Sequence, residues 1–71
     1  HHRVIRMTTK ARRIVRELFI AYRNEPRLLS TEYRRTDPTA QARAIADYIA
    51  GMTDRFAIKE HRELFQMGSD L

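Results

Sequence analysis

Val4, Met7, Ala11, Ile14, Val15, Leu18, Phe19 and Tyr22 recur at intervals of three and four, and Pro26 follows shortly after the last of them. That spacing puts all of them on one stripe of an α-helix, which must be buried against something else. Proline disfavours helical geometry in the residue before it, so Glu25 is out and the pattern predicts one long helix over residues 3–24. Thr8 and Thr9 have the chemistry of a cap, but Val4 and Met7 continue the stripe upstream of them. They are therefore read as mid-helix threonines.

Residues 25–37 carry no sustained periodicity and read as a connector, with Ser30 or Thr31 placed to cap a short turn through Tyr33. Leu28 and Leu29 are expected to tack it onto a helix face, since adjacent leucines in a loop are otherwise exposed. Asp37-Pro38 restarts the helix: the aspartate accepts amide hydrogen bonds, and proline at the first helical position has no amide to leave unpaired. Ile45, Tyr48, Ile49, Met52 and Phe56 then predict a second helix over residues 38–57, with Ala42 and Ala44 small enough for close helix contact. Gly51 interrupts it at a cost of about 0.5–1 kcal/mol relative to alanine. Either a neighbouring backbone approaches there or the helix bends, and close packing is the expectation. Residues 59–66 read as a short third helix docked by Leu64 and Phe65, with a frayed tail from Met67. The expected fold class is all-α, an antiparallel hairpin of two long helices plus a short C-terminal helix.

A chain of 71 residues buries only ~60% of its unfolded surface, leaving little to set against backbone entropy. There is no cysteine to staple it, and a two-helix seam cannot cover both apolar stripes. The surplus surface is expected to dimerise or to meet further helices. No apolar run approaches the ~20 residues of a membrane span, and the basic N-terminus lacks the apolar core of a signal peptide. A soluble, cytoplasmic protein with no membrane partner is the expectation. The formal charge is +5 with a pI near 10.4, from fourteen Lys+Arg of which twelve are arginine, against nine Asp+Glu. Guanidinium forks suit phosphates and carboxylates. The basic residues are nevertheless scattered among Glu17, Glu25, Glu32 and Glu60, which favours a solvated face for most of them.

The most specific stretch is Asp47 to Arg62, DYIAGMTDRFAIKEHR, followed by Leu64-Phe65. It resembles the C-terminal segment of bacterial deoxyguanosinetriphosphate triphosphohydrolase-like proteins of the HD-domain superfamily. The resemblance covers nearly the whole chain, is strongest from Ala46 to Phe65 and weakest in the connector. It implies a larger all-α parent enzyme that hydrolyses a deoxynucleoside triphosphate to the deoxynucleoside and inorganic triphosphate. It also implies a divalent metal, Mg or Mn, and a homo-oligomer. The superfamily takes its name from an adjacent His-Asp pair. That pair occurs nowhere here; the histidines are His1, His2 and His61. The metal ligands are therefore expected upstream, and the segment alone is expected to have no catalytic residues, no cofactor and no activity.

The N-terminus is similar to a Tyr-x-His-x-Arg-Val-like stretch of that family which leads into a long helix near nucleotide or phosphate sites. The tyrosine is missing here. The resemblance makes His2, Arg3 and Arg6 candidate substrate contacts, beside two other readings of the region, a solvated helix start and, for His1-His2, the end of an affinity tag. Tyr48, Gly51, Asp54 and Arg55 carry the strongest motif and are read as structural. Asp54 and Arg55 point about 100° apart on a helix, so each is expected to pair elsewhere, with Lys59 or the Ile58 backbone, or to brace the catalytic core. Arg43 and Asp47, four apart, are an expected exposed pair. Glu60-His61 invites a general-base or zinc reading, but positions 64 and 65 are Leu and Phe where a second histidine is required. No phosphate-binding glycine loop or nucleophile elbow is present either.

The leading expectation is thus a structural and oligomerising segment of a dNTP triphosphohydrolase, whose partner is the remainder of that enzyme and which meets nucleotide through it. The alternative is a free-standing basic helical module that binds nucleic acid or a protein partner. A third reading makes the segment a regulatory surface that binds nucleotide between subunits.

Overall fold

Thr8 sets where the first helix begins. Its backbone is extended (φ −69°, ψ 162°) and its hydroxyl accepts a 3.1 Å hydrogen bond from the Ala11 amide, satisfying one of the donors a helix start leaves open. In this computed structural model, which describes residues 8–69, helix α1 accordingly spans Thr9–Asn24. Thr8 is thus a cap and not the mid-helix residue that the apolar stripe suggests, and the expected start near Arg3 lies outside the described residues. Val4 and Met7 lie outside the described residues. The other end is as expected: Glu25, before Pro26, leaves helical geometry (φ −138°, ψ 82°).

The connector is ordered by its own polar groups. Two single turns of 3-10 helix, Pro26–Leu28 and Thr31–Tyr33, follow α1. The Arg34 guanidinium donates to the carbonyls of Leu29 and Arg27, each at 3.0 Å. Gln41 is buried; its side chain accepts from the Arg35 amide at 2.8 Å and donates to the Tyr33 carbonyl at 2.9 Å. These bonds supply partners to backbone groups that no helix satisfies. Of the two leucines, Leu29 is 1% exposed and Leu28 is 43% exposed, so one of them does the tacking that both were expected to share.

Helix α2 runs Pro38–Ala50 with Asp37 as its cap, accepting from the Ala40 amide at 2.8 Å. It ends seven residues sooner than the periodicity predicts. The Gly51 amide divides between the carbonyls of Asp47 and Tyr48, both at 3.2 Å, and the Thr53 hydroxyl takes the Phe56 amide at 3.1 Å. A weak helix former next to a capping threonine thus breaks the helix and restarts it as α3, Asp54–Ser69. A Cβ at Gly51 would meet only the Asp47 and Tyr48 carbonyl oxygens at 3.7 Å, an ordinary contact. Close packing is therefore not why glycine stands there, and its right-handed backbone (φ −87°, ψ −1°) does not require glycine either. The third helix has 16 residues in place of the expected short piece over 59–66, and it continues past Met67 where a frayed tail is the sequence expectation.

The described residues are therefore all-α: three helices, with α1 packed against both α2 and α3. Ile14, Leu18, Tyr22, Leu29 and Ile45 form the buried core, with Phe19, Tyr33, Tyr48, Ile49, Met52, Ala57 and Leu64 packed against it. No described helix is long and apolar enough to cross a membrane.

Candidate functional site

The seam between α1 and α3 carries two side-chain hydrogen bonds between distant helices. Glu17 comes from the edge of the α1 stripe, and His61 lies two turns into α3. Their side chains meet with His61 Nε2 2.6 Å from Glu17 Oε1. Arg13, one turn back on α1, adds a weaker contact to Glu17 Oε2 at 3.6 Å. The His61 ring rests on Phe65 with centroids 4.5 Å apart. The hydrogen bond from His61 holds the Glu17 carboxyl below the ordinary carboxylate range against some desolvation, with Arg13 and Arg16 helping. Among the described residues no hydroxyl or thiol hydrogen-bonds to this pair. Its evident role is to tie α3 to α1.

A second tie lies next to it. The Tyr22 hydroxyl donates to Glu60 Oε1 at 2.8 Å, and the fully buried Tyr22 ring meets Tyr48 edge-on at 5.5 Å. Tyr33 of the connector packs on Tyr48 at 4.8 Å, so three tyrosines join α1, α2 and the connector. Burial, and then the Glu60 carboxylate, raise the Tyr22 phenol above its ordinary value; burial and Glu60 do the same to Tyr48. Sequence reasoning misses both ties. It weighs His61 and Glu60 only as a general base or zinc motif, and Glu17 and Tyr22 lie 44 and 38 residues away in sequence.

The motif residues fall in different settings. Tyr48 is a half-buried wedge at the centre of the tyrosine cluster, and Gly51 closes α2. Asp54 opens α3, where its charge favours the helix start. Arg55 is exposed. Neither side chain pairs with Lys59 or with the Ile58 backbone, contrary to expectation. Arg43 and Asp47 do pair, at 3.7 Å and largely exposed. His2, Arg3 and Arg6 lie outside the described residues.

These residues do not fit a metal. No three His, Cys, Asp or Glu side chains converge among the described residues. His61 and Glu17 are engaged with each other, and Glu60 is engaged by Tyr22. What the seam does present is an open cleft of about 790 Å³ between α1 and α3. Ile14, Ile58 and Phe65 line it, with Lys10, Arg13 and Arg62 beside them.

The family model of the phosphohydrolase-associated domain matches residues 1–63. The chain belongs to this family. Among its relatives is a deoxyguanosinetriphosphate triphosphohydrolase-like protein of Bordetella pertussis, 71% identical over 68 residues, covering 96% of this chain and 18% of that protein. A protein of the same description from Azoarcus sp. strain BH72 is 59% identical over 68 residues, again 96% of this chain and 18% of the relative. A third, from Nitrosomonas europaea, is 49% identical over 65 residues, 92% of this chain and 17% of the relative. This phosphohydrolase-associated segment thus spans less than a fifth of the length of the curated relatives it matches. No solved structure matches it.

Proposed function

We propose that this segment is the C-terminal structural element of a dNTP triphosphohydrolase, the enzyme class that splits a dNTP into the deoxynucleoside and inorganic triphosphate. The observation that carries this reading is the 71% identity, over nearly the whole chain, to a protein described as triphosphohydrolase-like. The ties Glu17–His61 and Tyr22–Glu60 commit the seam's carboxylates and its histidine to holding helices together, which suits a scaffold. The divalent ion of such an enzyme, Mg or Mn, is assigned to the remainder of the polypeptide, because the residues described here do not make a site for it. The working location is the cytoplasm, and the working assembly is a homo-oligomer.

The test uses the full-length polypeptide that contains this segment. Incubated with each of the four dNTPs and Mn²⁺, it should release inorganic triphosphate. Absence of release with every dNTP, together with salt-sensitive binding of single-stranded DNA, would overturn the reading in favour of a basic binding module.

A further inference from the structure

Along α3, Ile58, Arg62 and Phe65 stand at i, i+4 and i+7 and so form one ridge. This ridge lies beside the face that Ala57 and Leu64 turn to the core. Ile58 and Phe65 each keep 43% of their surface exposed, although Ile14 of α1 lies across the same cleft. Around them is a concentration of charge. A smaller concavity of about 460 Å³, lined by Arg55, Ile58, Lys59 and Arg62, continues the cleft across α3. Of the carboxylates nearby, Glu17 is taken by His61 and Arg13 and Glu60 by Tyr22, while the exposed Asp54 and Glu63 of α3 form no ion pair with these cations. The ion pairs formed by the described residues involve Arg13, Arg27, Arg43 and His61, which leaves Lys10, Arg55, Lys59 and Arg62 without a carboxylate partner among those residues.

We propose that this strip is a docking groove for an amphipathic helix whose apolar ridge seats between Ile58 and Phe65 and whose flanking Asp and Glu meet Lys10, Arg55, Lys59 and Arg62. The occupant is supplied by the part of the parent polypeptide outside these 71 residues, so the inference rests on the proposed membership of a longer enzyme. Two observations select it. Curated relatives carry more than four-fifths of their length outside the matched segment, which is ample chain to provide a helix. The strip also combines unpaired cations with exposed isoleucine and phenylalanine at two-turn spacing, a pattern that an acidic amphipathic helix complements on both counts. A phosphate backbone would satisfy the cations and leave Ile58 and Phe65 in water.

The experiment uses the full-length polypeptide without dNTP. Cysteine is introduced by Arg62→Cys in the groove and, separately, by Arg43→Cys on exposed α2, and maleimide labelling of each is followed by peptide mass spectrometry. The thiol at position 62 should label about tenfold more slowly than the thiol at position 43, because a covered site reacts only through local opening. In the unsubstituted protein, carbodiimide should join Lys10 or Lys59 to an Asp or Glu outside residues 1–71 of the same molecule. Equal labelling of the two variants overturns the proposal. So do cross-links that, in a mixture of isotopically light and heavy protein, join two copies, and protection that appears only when single-stranded DNA is added. Triphosphate release is measured on the same preparation: a protected groove in an inactive protein would sink the enzymatic reading and leave the docking groove standing.

Discussion

The Tyr22 hydroxyl and the Glu60 carboxylate are hydrogen-bonded at 2.8 Å across 38 residues of sequence, and this bond fixes α3 on α1 beside the buried core. Removing the hydroxyl in Tyr22→Phe leaves the ring packing but deprives a charged acceptor of its donor. The expected cost is about 1–2 kcal/mol, at the lower end for charged acceptors because Glu60 keeps some access to water. Urea unfolding measures it, and an unchanged midpoint would contradict the assignment.

The same bond has an alkaline signature. The folded Tyr22 phenol titrates above its unfolded value. Its contribution is therefore complete below the unfolded tyrosine value of about 10 and is lost as pH rises past it. Thermal unfolding followed upward from about pH 9 should show the native chain losing stability more steeply than Tyr22→Phe. Parallel curves for the two proteins would be evidence against the shift.

Glu17 predicts the opposite edge. Its carboxyl is held below the ordinary range, first by the His61 hydrogen bond and then by Arg13 and Arg16. The contribution is present above the unfolded carboxylate value of about 4.3 and disappears as pH falls through the lower folded value. Glu17→Gln should flatten the acid limb of the stability curve. An acid limb as steep as that of the native chain would show that the tie carries no linkage.

At Gly51 the backbone is right-handed (φ −87°, ψ −1°) and a Cβ finds ordinary contacts at 3.7 Å. Gly51→Ala should therefore raise stability, by about 0.4–1 kcal/mol, because it restricts the unfolded chain without straining the folded one. A loss of more than about 1 kcal/mol would restore the close-packing explanation.

How much is legible in the sequence depends on which signals agree. Pro26 and Asp37-Pro38 combine stereochemistry with capping, and both boundaries fall where they point. Thr8 and Thr53 are caps whose evidence competes with apolar periodicity running past them, and in both places the local hydrogen bond prevails. Leu28 and Leu29 look alike in sequence because their burial is decided by the 3-10 turn between α1 and α2, which has no periodic signature. The Glu17–His61 and Tyr22–Glu60 ties are pairings between distant helices. Nothing in local spacing reports them until α3 is known to begin at Asp54 and to lie on α1.

That difference between the leucines is itself measurable. Leu29→Ala should cost about 2–5 kcal/mol as a buried truncation, whereas Leu28→Ala should stay within about 0.5 kcal/mol. Equal effects in chemical unfolding would mean that the connector packs differently from the geometry described here.

The most direct test of the central claim is ³¹P NMR of the products formed when the full-length polypeptide containing this segment is incubated with dGTP and Mn²⁺, beside the 71-residue chain alone. The account predicts inorganic triphosphate from the full-length protein and unchanged dGTP with the short chain. Pyrophosphate, orthophosphate or no product from the full-length protein would contradict it, and so would triphosphate from the short chain.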